Sequence, residues 1–173
     1  MTKIAVIYKS RYGTTKQYAQ WVAEDLGASL FEASQMKPVQ LMDYDVVVYG
    51  GALYVGRILG SKLVTQNPCK ALVLFTVGLA TPEITDFTEI ISKNLSALPP
   101  EEIKIFHLQG GIDYGRLSLL HKLLMACKKK FVEKTPVDER TSDDYELLDT
   151  YGAKLDFTDK EKIKPLVDYV RSL

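Results

Sequence analysis

Ser10, Thr14 and Thr15 surround Gly13 within residues 10–15, with Arg11 and Tyr12 between them. An apolar run precedes this cluster and a helical pattern follows it. The first N–H groups of a helix have no partner inside the helix, and the helix dipole favours an anion beside them. Three hydroxyl groups at that point add donors for phosphate oxygens, and Gly13 lets the backbone approach closely. A simple helix cap is the plainer use of Ser or Thr. One cap needs one hydroxyl, however, and this segment has three and a glycine. The reading taken is a phosphate cradle. Other phosphate loops fit poorly. The dinucleotide pattern G-x-G-x-x-G is absent here. The triphosphate pattern is approached only at residues 51–57, where Arg57 stands in place of the required Lys. A phosphoacceptor domain needs acids where this chain has Lys9-Ser10 and Gly50-Gly51.

Two more segments belong to the same reading. Gly50, Gly51, Ala52, Leu53, Tyr54, Val55, Gly56 and Arg57 read as a glycine-rich loop after the third strand. Thr76, Val77, Gly78, Leu79 and Ala80 follow the fourth, again small and backbone-exposing. Such loops suit a flat, apolar ligand lying against the backbone. Tyr54 offers a ring for offset stacking; its plainer role is to cover the sheet edge. The three segments together describe a phosphate cradle at one end and a slot for a flat ring at the other.

The elements that must hold these residues follow from two alternating periods. Residues 3–8, 46–49, 71–77 and 103–108 are short runs rich in β-branched or aromatic residues, with a weaker run at 29–33. Most are nearly continuous in apolar character, as in parallel strands covered on both faces. Between them Thr15, Ala19, Val22 and Leu26 recur at helical spacing, and Gly27 marks the stop. Ile84, Phe87, Ile91 and Leu95 do the same, with Pro82 at the start. Ile163, Leu166, Val167 and Val170 mark a last helix. Strands alternating with helices predict an α/β, doubly wound sandwich around a five-stranded parallel sheet of order 2-1-3-4-5. Ligands bind such sheets at the carboxyl ends of the strands, where the strand order reverses. The chain reads as one domain, residues 1–173.

Residues 111–160 stand apart as an extended helix-plus-loop segment within that domain. Asp113 and Tyr114 open it and are candidates for contact with ligand or substrate. A long helix over 117–133 follows, then a polar stretch. On that helix Leu119, Leu120, Leu123, Leu124, Cys127 and Phe131 form an apolar stripe. Arg116, Lys122, Lys128, Lys129, Lys130 and Lys134 supply a cationic side. The preferred reading packs the leucines on the sheet and leaves the lysines in water. The alternative is peripheral membrane contact through residues 117–134, since a basic amphipathic helix can lie on anionic lipid. His121 is expected to be structural and Cys127 an inert core thiol.

Charge and composition exclude several classes. Lys+Arg and Asp+Glu number 22 each, so net charge is zero, and a general nucleic-acid binder is disfavoured. The balance is uneven. Residues 101–135 hold seven bases and four acids, and residues 136–173 six bases and ten acids. Two distant cysteines, Cys69 and Cys127, and two histidines, His107 and His121, argue against a disulfide framework and against a metal centre. The N-terminus lacks a signal-peptide pattern, and no apolar stretch approaches about 18 residues. The expected compartment is the cytoplasm, with the inner face of the membrane as a peripheral option.

The segment 10–15 resembles the phosphate loop of flavodoxin-like FMN proteins, Ser/Thr-x-Thr-Gly-x-Thr. It departs at Tyr12, where short-chain flavodoxins usually have Thr, and this removes one hydroxyl. The resemblance covers roughly residues 2–110 and the last helix. Gly110, Gly111, Ile112, Asp113, Tyr114, Gly115 and Arg116, followed by a basic helix, look closest to the menaquinone-dependent protoporphyrinogen dehydrogenase type. The resemblance implies FMN, held at the phosphate by Ser10, Arg11, Tyr12, Gly13, Thr14 and Thr15. Ala52, Leu53, Tyr54, Val55 and Gly56, with Thr76, Val77, Gly78, Leu79 and Ala80, would flank the ring. FMN suits the chain better than FAD, because there is one cradle and no nucleotide-binding extension. The implied function is redox. An oxidoreductase would pass electrons from a small-molecule substrate or donor to a quinone or other acceptor. The alternatives are an electron carrier serving a redox partner protein and a non-catalytic flavin-binding module. Carriers of the flavodoxin kind are typically acidic. This chain is neutral, which moves weight toward an enzyme.

Overall fold

A computed structural model describes residues 2–54, 56–99, 103–140 and 142–173. Along the chain run β1 (Ile4–Lys9), α1 (Thr14–Leu26), β2 (Ser29–Glu32), β3 (Val46–Tyr54), β4 (Arg57–Ile58), α2 (Lys62–Thr65), β5 (Leu72–Gly78), α3 (Phe87–Asn94) and β6 (Ile105–Gln109). Then come β7 (Gly111–Asp113), α4 (Leu119–Lys134), α5 (Ser142–Thr150), β8 (Lys154–Asp156) and α6 (Lys164–Arg171). The chain divides into two compact units, residues 1–110 with 158–173, and residues 111–157.

In the first unit the sheet order is β2-β1-β3-β5-β6, all parallel, with β4 paired antiparallel to the end of β3. Leaving out that short hairpin strand, this is the predicted order. Alternation along each strand divides the core into two layers. Val6, Tyr8, Val46, Val48, Val73, Phe75 and Val77 face α1 and α6. Ala5, Ile7, Val47, Tyr49 and Leu74 face the layer that holds Leu41, Val64, Ile90 and Leu95. Burial on both faces is why these strands read as continuous apolar runs and not as alternating ones. Helix α1 buries Tyr18, Ala19, Val22 and Ala23 and stops at Gly27, whose left-handed N–H bonds Ala23 and Glu24 carbonyls.

The boundaries differ from the sequence reading in three places. Strand β3 runs on to Tyr54, so Gly50, Gly51, Ala52, Leu53 and Tyr54 are strand, not loop. The two glycines mark crowding: a Cβ on Gly50 would lie 2.0 Å from Cζ of Phe75, and one on Gly51 would lie 2.3 Å from Cγ2 of Ile58. Second, α3 begins at Phe87, because the Asp86 carboxylate accepts the Glu89 N–H at 3.2 Å and sets the start there; residues 82–84 form a separate 3-10 turn. Third, the extension holds more structure than one helix and a loop.

That extension is the second unit. Strands β7 and β8 pair antiparallel, Ile112 opposite Leu155. Helix α4 is capped by Ser118, whose Oγ accepts the His121 N–H at 3.3 Å. His121 is buried and its Nδ1 lies 2.8 Å from Ser118 Oγ, in line with the structural role expected of it. The preferred packing of the leucine stripe is overturned. Leu119 is 85% exposed and Phe131 74%, and Leu120, Leu123, Leu124 and Cys127 are exposed with them. The buried positions of α4 are His121 and Val132. Cys127 is therefore a surface thiol and not a core one.

Candidate functional site

The carboxyl ends of β1, β3, β5 and β6 meet at one edge of the first unit's sheet. Lys9 is in register with Gly51, Gly51 with Thr76, and Gly78 with Gln109. Each strand therefore delivers its following segment to the same place, and this is what gathers residues distant in sequence.

The segment after β1 folds back on itself. Gly13 takes φ +105°, a conformation that L side chains rarely adopt, and its N–H donates to Ser10 Oγ at 3.0 Å. Ser10 thus accepts with its oxygen and keeps its O–H to donate. No side chain caps α1. Thr14 and Thr15 therefore do not serve as the simple cap that was the plainer reading. Thr14 is half-buried, Thr15 buried, and Gly13 exposed. An uncapped N-terminus on a 13-residue helix, beside a left-handed glycine with nothing within 4 Å of its Cβ position, suits an anion such as a phosphate. These residues fit the phosphate end of FMN.

Arg11 is exposed and sets its guanidinium over the Tyr54 ring, 4.7 Å from the centroid. That contact joins the first segment to the tip of β3. Ala52, Leu53, Tyr54 and Gly56 are all half-buried. Val55 lies outside the described residues. A Cβ on Gly78 would sit 3.6 Å from Leu53 Cβ, so the end of β5 adjoins the end of β3. Gly110 closes the fourth side: its N–H donates to Gly78 O at 2.7 Å, and a Cβ there would meet Thr14 Oγ1 at 3.1 Å.

Within the segment after β5 the roles divide. Thr76 and Val77 lie inside the strand and their side chains are buried. Thr76 Oγ1 is 2.7 Å from His107 Nδ1, so its hydroxyl is engaged in the core. Gly78, Leu79 and Ala80 are half-buried at the strand end. Backbone, not the side chains of Thr76 and Val77, is what this segment offers a ligand.

Two residues on β6 were missed by the sequence reading. His107 Nε2 lies 2.9 Å from the Ala80 carbonyl, which can only accept; Nε2 therefore carries the proton, and Nδ1 accepts from Thr76. Burial, opposed by the Ala80 bond and by Glu83, holds the His107 pKa below the ordinary imidazole value, so the neutral ring is favoured. Gln109 Nε2 donates to the Leu79 carbonyl at 3.0 Å. Tyr18 on α1 donates to the Gln109 carbonyl at 2.7 Å and accepts the Asp159 N–H at 3.1 Å. The sequence did carry a signal: His107 and Gln109 are the polar residues of an otherwise apolar strand, IFHLQ.

Asp113 and Tyr114 belong to the second unit. Asp113 accepts the Gly115 N–H at 2.9 Å and lies 3.8 Å from Lys154 Nζ. Tyr114 is buried, its ring 5.2 Å from that of Tyr151, and its hydroxyl has no partner among the described residues. Burial pushes its phenol pKa up, with a smaller contribution from Tyr151. Among the described residues no cluster of His, Cys, Asp and Glu could hold a metal ion, and no helix is long and apolar enough to cross a membrane.

Residues 5–138 match the flavodoxin domain. Several solved structures are similar to the chain at low identity. A flavodoxin, WrbA-like protein from Agrobacterium tumefaciens is 16% identical over 99% of each chain, with a TM-score of 0.47. A Fusobacterium nucleatum flavodoxin variant bound to flavin mononucleotide is 15% identical over 67% of this chain and 72% of its own, with a TM-score of 0.47. A flavoprotein from Lactobacillus acidophilus in complex with FMN is 11% identical over 63% of this chain and 93% of its own, with a TM-score of 0.45. A search of curated proteins returns no match. The matched segment covers more than half of the sequence and includes residues 10–15, β3, β5 and β6: the chain belongs to the flavodoxin-domain family, with its α/β fold.

Proposed function

We propose that this protein binds FMN non-covalently at the carboxyl edge of its sheet and works as a redox flavoprotein. The observation that carries the reading is the segment at 10–15: a left-handed Gly13, a Ser10 hydroxyl turned into the loop, and an α1 N-terminus that no side chain caps. Ser10, Thr14 and Thr15, with Gly13, would hold the phosphate, and Arg11 and Tyr12 border it. Ala52, Leu53, Tyr54, Val55 and Gly56 and the backbone of Gly78, Leu79 and Ala80 would flank the ring. Asp113 and Tyr114 are offered as substrate contacts. FMN, when bound, supplies reversible transfer of electrons or hydride; the protein orients it and tunes its potential.

The chain's own part is to hold and to exclude. The apolar side chain of Leu53 and the ring of Tyr54 keep water from a flat ligand. His107 and Gln109 fix the carbonyls of Ala80 and Leu79, so the neighbouring backbone is presented in one arrangement. Neutral His107 carries no charge toward that loop.

The finer reading is an oxidoreductase that takes electrons from a small-molecule donor and passes them to a quinone, similar to the protoporphyrinogen dehydrogenase type. The neutral net charge and the second unit favour it over a plain carrier. A carrier serving a redox partner protein is the alternative. The reading places the protein in the cytoplasm, with peripheral contact at the inner face of the membrane. The test is the visible spectrum of protein purified without added flavin, with mass analysis of the released ligand, followed by anaerobic reduction of the flavin and mixing with a quinone. A flavin spectrum, released FMN and reoxidation of the reduced flavin by the quinone support the reading. A colourless protein that refuses added FMN contradicts it.

A further inference from the structure

We infer that α4 is a docking helix for an anionic lipid bilayer. The inference deepens the redox reading, on whose lipid-borne acceptor its purpose rests; its geometry makes no use of the flavin.

Viewed down the helix at ~100° per residue, Leu120, Leu123, Leu124, Cys127 and Phe131 fall within an arc of about 100°. All five are exposed. Leu119 extends the arc at its N-terminal end and is more exposed than the other leucines and Phe131. His121 and Val132, the buried positions, lie outside that arc. Most monomers do not present a continuous row of large apolar side chains; where one occurs it marks an interaction site. The sequence pattern is amphipathic, but what the second unit covers is the narrow side.

The flanks identify the occupant. On the same projection Lys128 borders one side of the arc and Lys130 the other, and Lys134 falls within the arc at the C-terminal end of the helix. None of the three makes an ion pair among the described residues. Two other cations are engaged within the unit: Lys129 pairs with Glu133 and lies 5.2 Å from the Tyr151 ring, and Lys122 donates to the Gly115 carbonyl at 3.2 Å. An apolar face with free cations on both rims complements the interface of an anionic bilayer, where acyl chains take the leucines and headgroup phosphates the lysines. A second copy of the chain complements it poorly, because an isologous pairing sets like-charged rims side by side. Sixteen residues span about 24 Å, so the helix lies along the surface. No helix among the described residues is long and apolar enough to cross.

The test uses the full chain with vesicles of equal parts phosphatidylglycerol and phosphatidylcholine, and with phosphatidylcholine alone, by flotation at low and high salt. Three variants accompany the wild type. They are the triple change Leu120→Ser, Leu124→Ser and Phe131→Ser; the triple change Lys128→Gln, Lys130→Gln and Lys134→Gln; and Leu119→Ser. All these residues are surface residues, and melting temperature and FMN content are recorded for each. The proposal expects flotation with the anionic vesicles, weakened by salt. The apolar triple change should weaken it at least tenfold, and the lysine changes by roughly fivefold per residue, about 1 kcal/mol each. Leu119→Ser should have a smaller effect. Wild-type protein that ignores the anionic vesicles at low salt overturns the proposal. So does flotation that the apolar triple change leaves intact. Concentration-dependent dimers abolished by the apolar triple change, without vesicle binding, assign the face to a second copy and also overturn it. Flotation by a protein that takes up no FMN keeps the docking helix and sinks the redox reading; FMN binding without flotation does the reverse.

Discussion

Helices α1 and α4 look alike as sequence and are used in opposite ways. Each is a long helix with an apolar stripe, and each has Ser or Thr residues at its start. In α1 the stripe of Tyr18, Ala19 and Val22 is fully buried, against the sheet's first layer. In α4 the leucine stripe is exposed, and a histidine and a valine are buried in its place. The N-termini are opposite too. Ser118 spends its hydroxyl on its own helix, whereas no side chain caps α1. Spacing therefore reveals a stripe and a capping residue but not what they face. That depends on the neighbours: α1 lies between parallel strands that need a cover, and α4 lies in the connection between β7 and β8, two three-residue strands too short to cover its leucines.

The largest effect expected from this contrast is on stability. Tyr18→Ala removes a fully buried ring and two hydrogen bonds and should cost about 3–5 kcal/mol in urea unfolding. Phe131→Ala, on an exposed ring of α4, should stay within about 0.5 kcal/mol. Equal losses would mean that the stripe of α4 is covered after all. The next effect separates the two N-termini. Thr15→Val should weaken FMN binding by roughly tenfold, about one charge-assisted hydrogen bond. Ser118→Ala should leave FMN affinity unchanged and cost about 1 kcal/mol of stability as a lost cap. Fluorescence titration and urea unfolding of both variants read the difference, and a reversed pattern breaks the comparison.

The smallest effect lies on β6. Burial depresses His107 below 6.5, so as pH falls the unfolded chain takes up this proton before the folded one. Its contribution to stability is complete above pH 6.5 and is lost as pH falls through that value toward the folded one. His107→Gln should flatten the stability slope between about pH 7 and 5. An unchanged slope assigns the pH dependence elsewhere.

The sheet order, α1 with its Gly27 stop and α6 were all legible, because residues such as Val47, Val48 and Leu166 are buried for reasons that leave a local pattern. The continuation of β3 was not. Gly50 and Gly51 look like a loop in sequence, and only the distant Phe75 and Ile58 explain why glycines stand in a strand. The pairing of β7 with β8 was hidden for a related reason: three-residue strands are too short to show a period, and α4 and α5 separate them in sequence. For the candidate site, the hydroxyls and glycine at 10–15 were legible because the whole arrangement is local. The supports from His107 and Gln109 depend on a register between β5 and β6 that no local pattern encodes.

A phosphate cradle that holds FMN is tested by a paired calorimetric titration of flavin-free protein with FMN and with riboflavin, which lacks the phosphate. One FMN should bind per chain, with riboflavin weaker by on the order of 100-fold, as two or more charge-assisted hydrogen bonds require. Equal affinities, or no uptake of either by the folded protein, would contradict it.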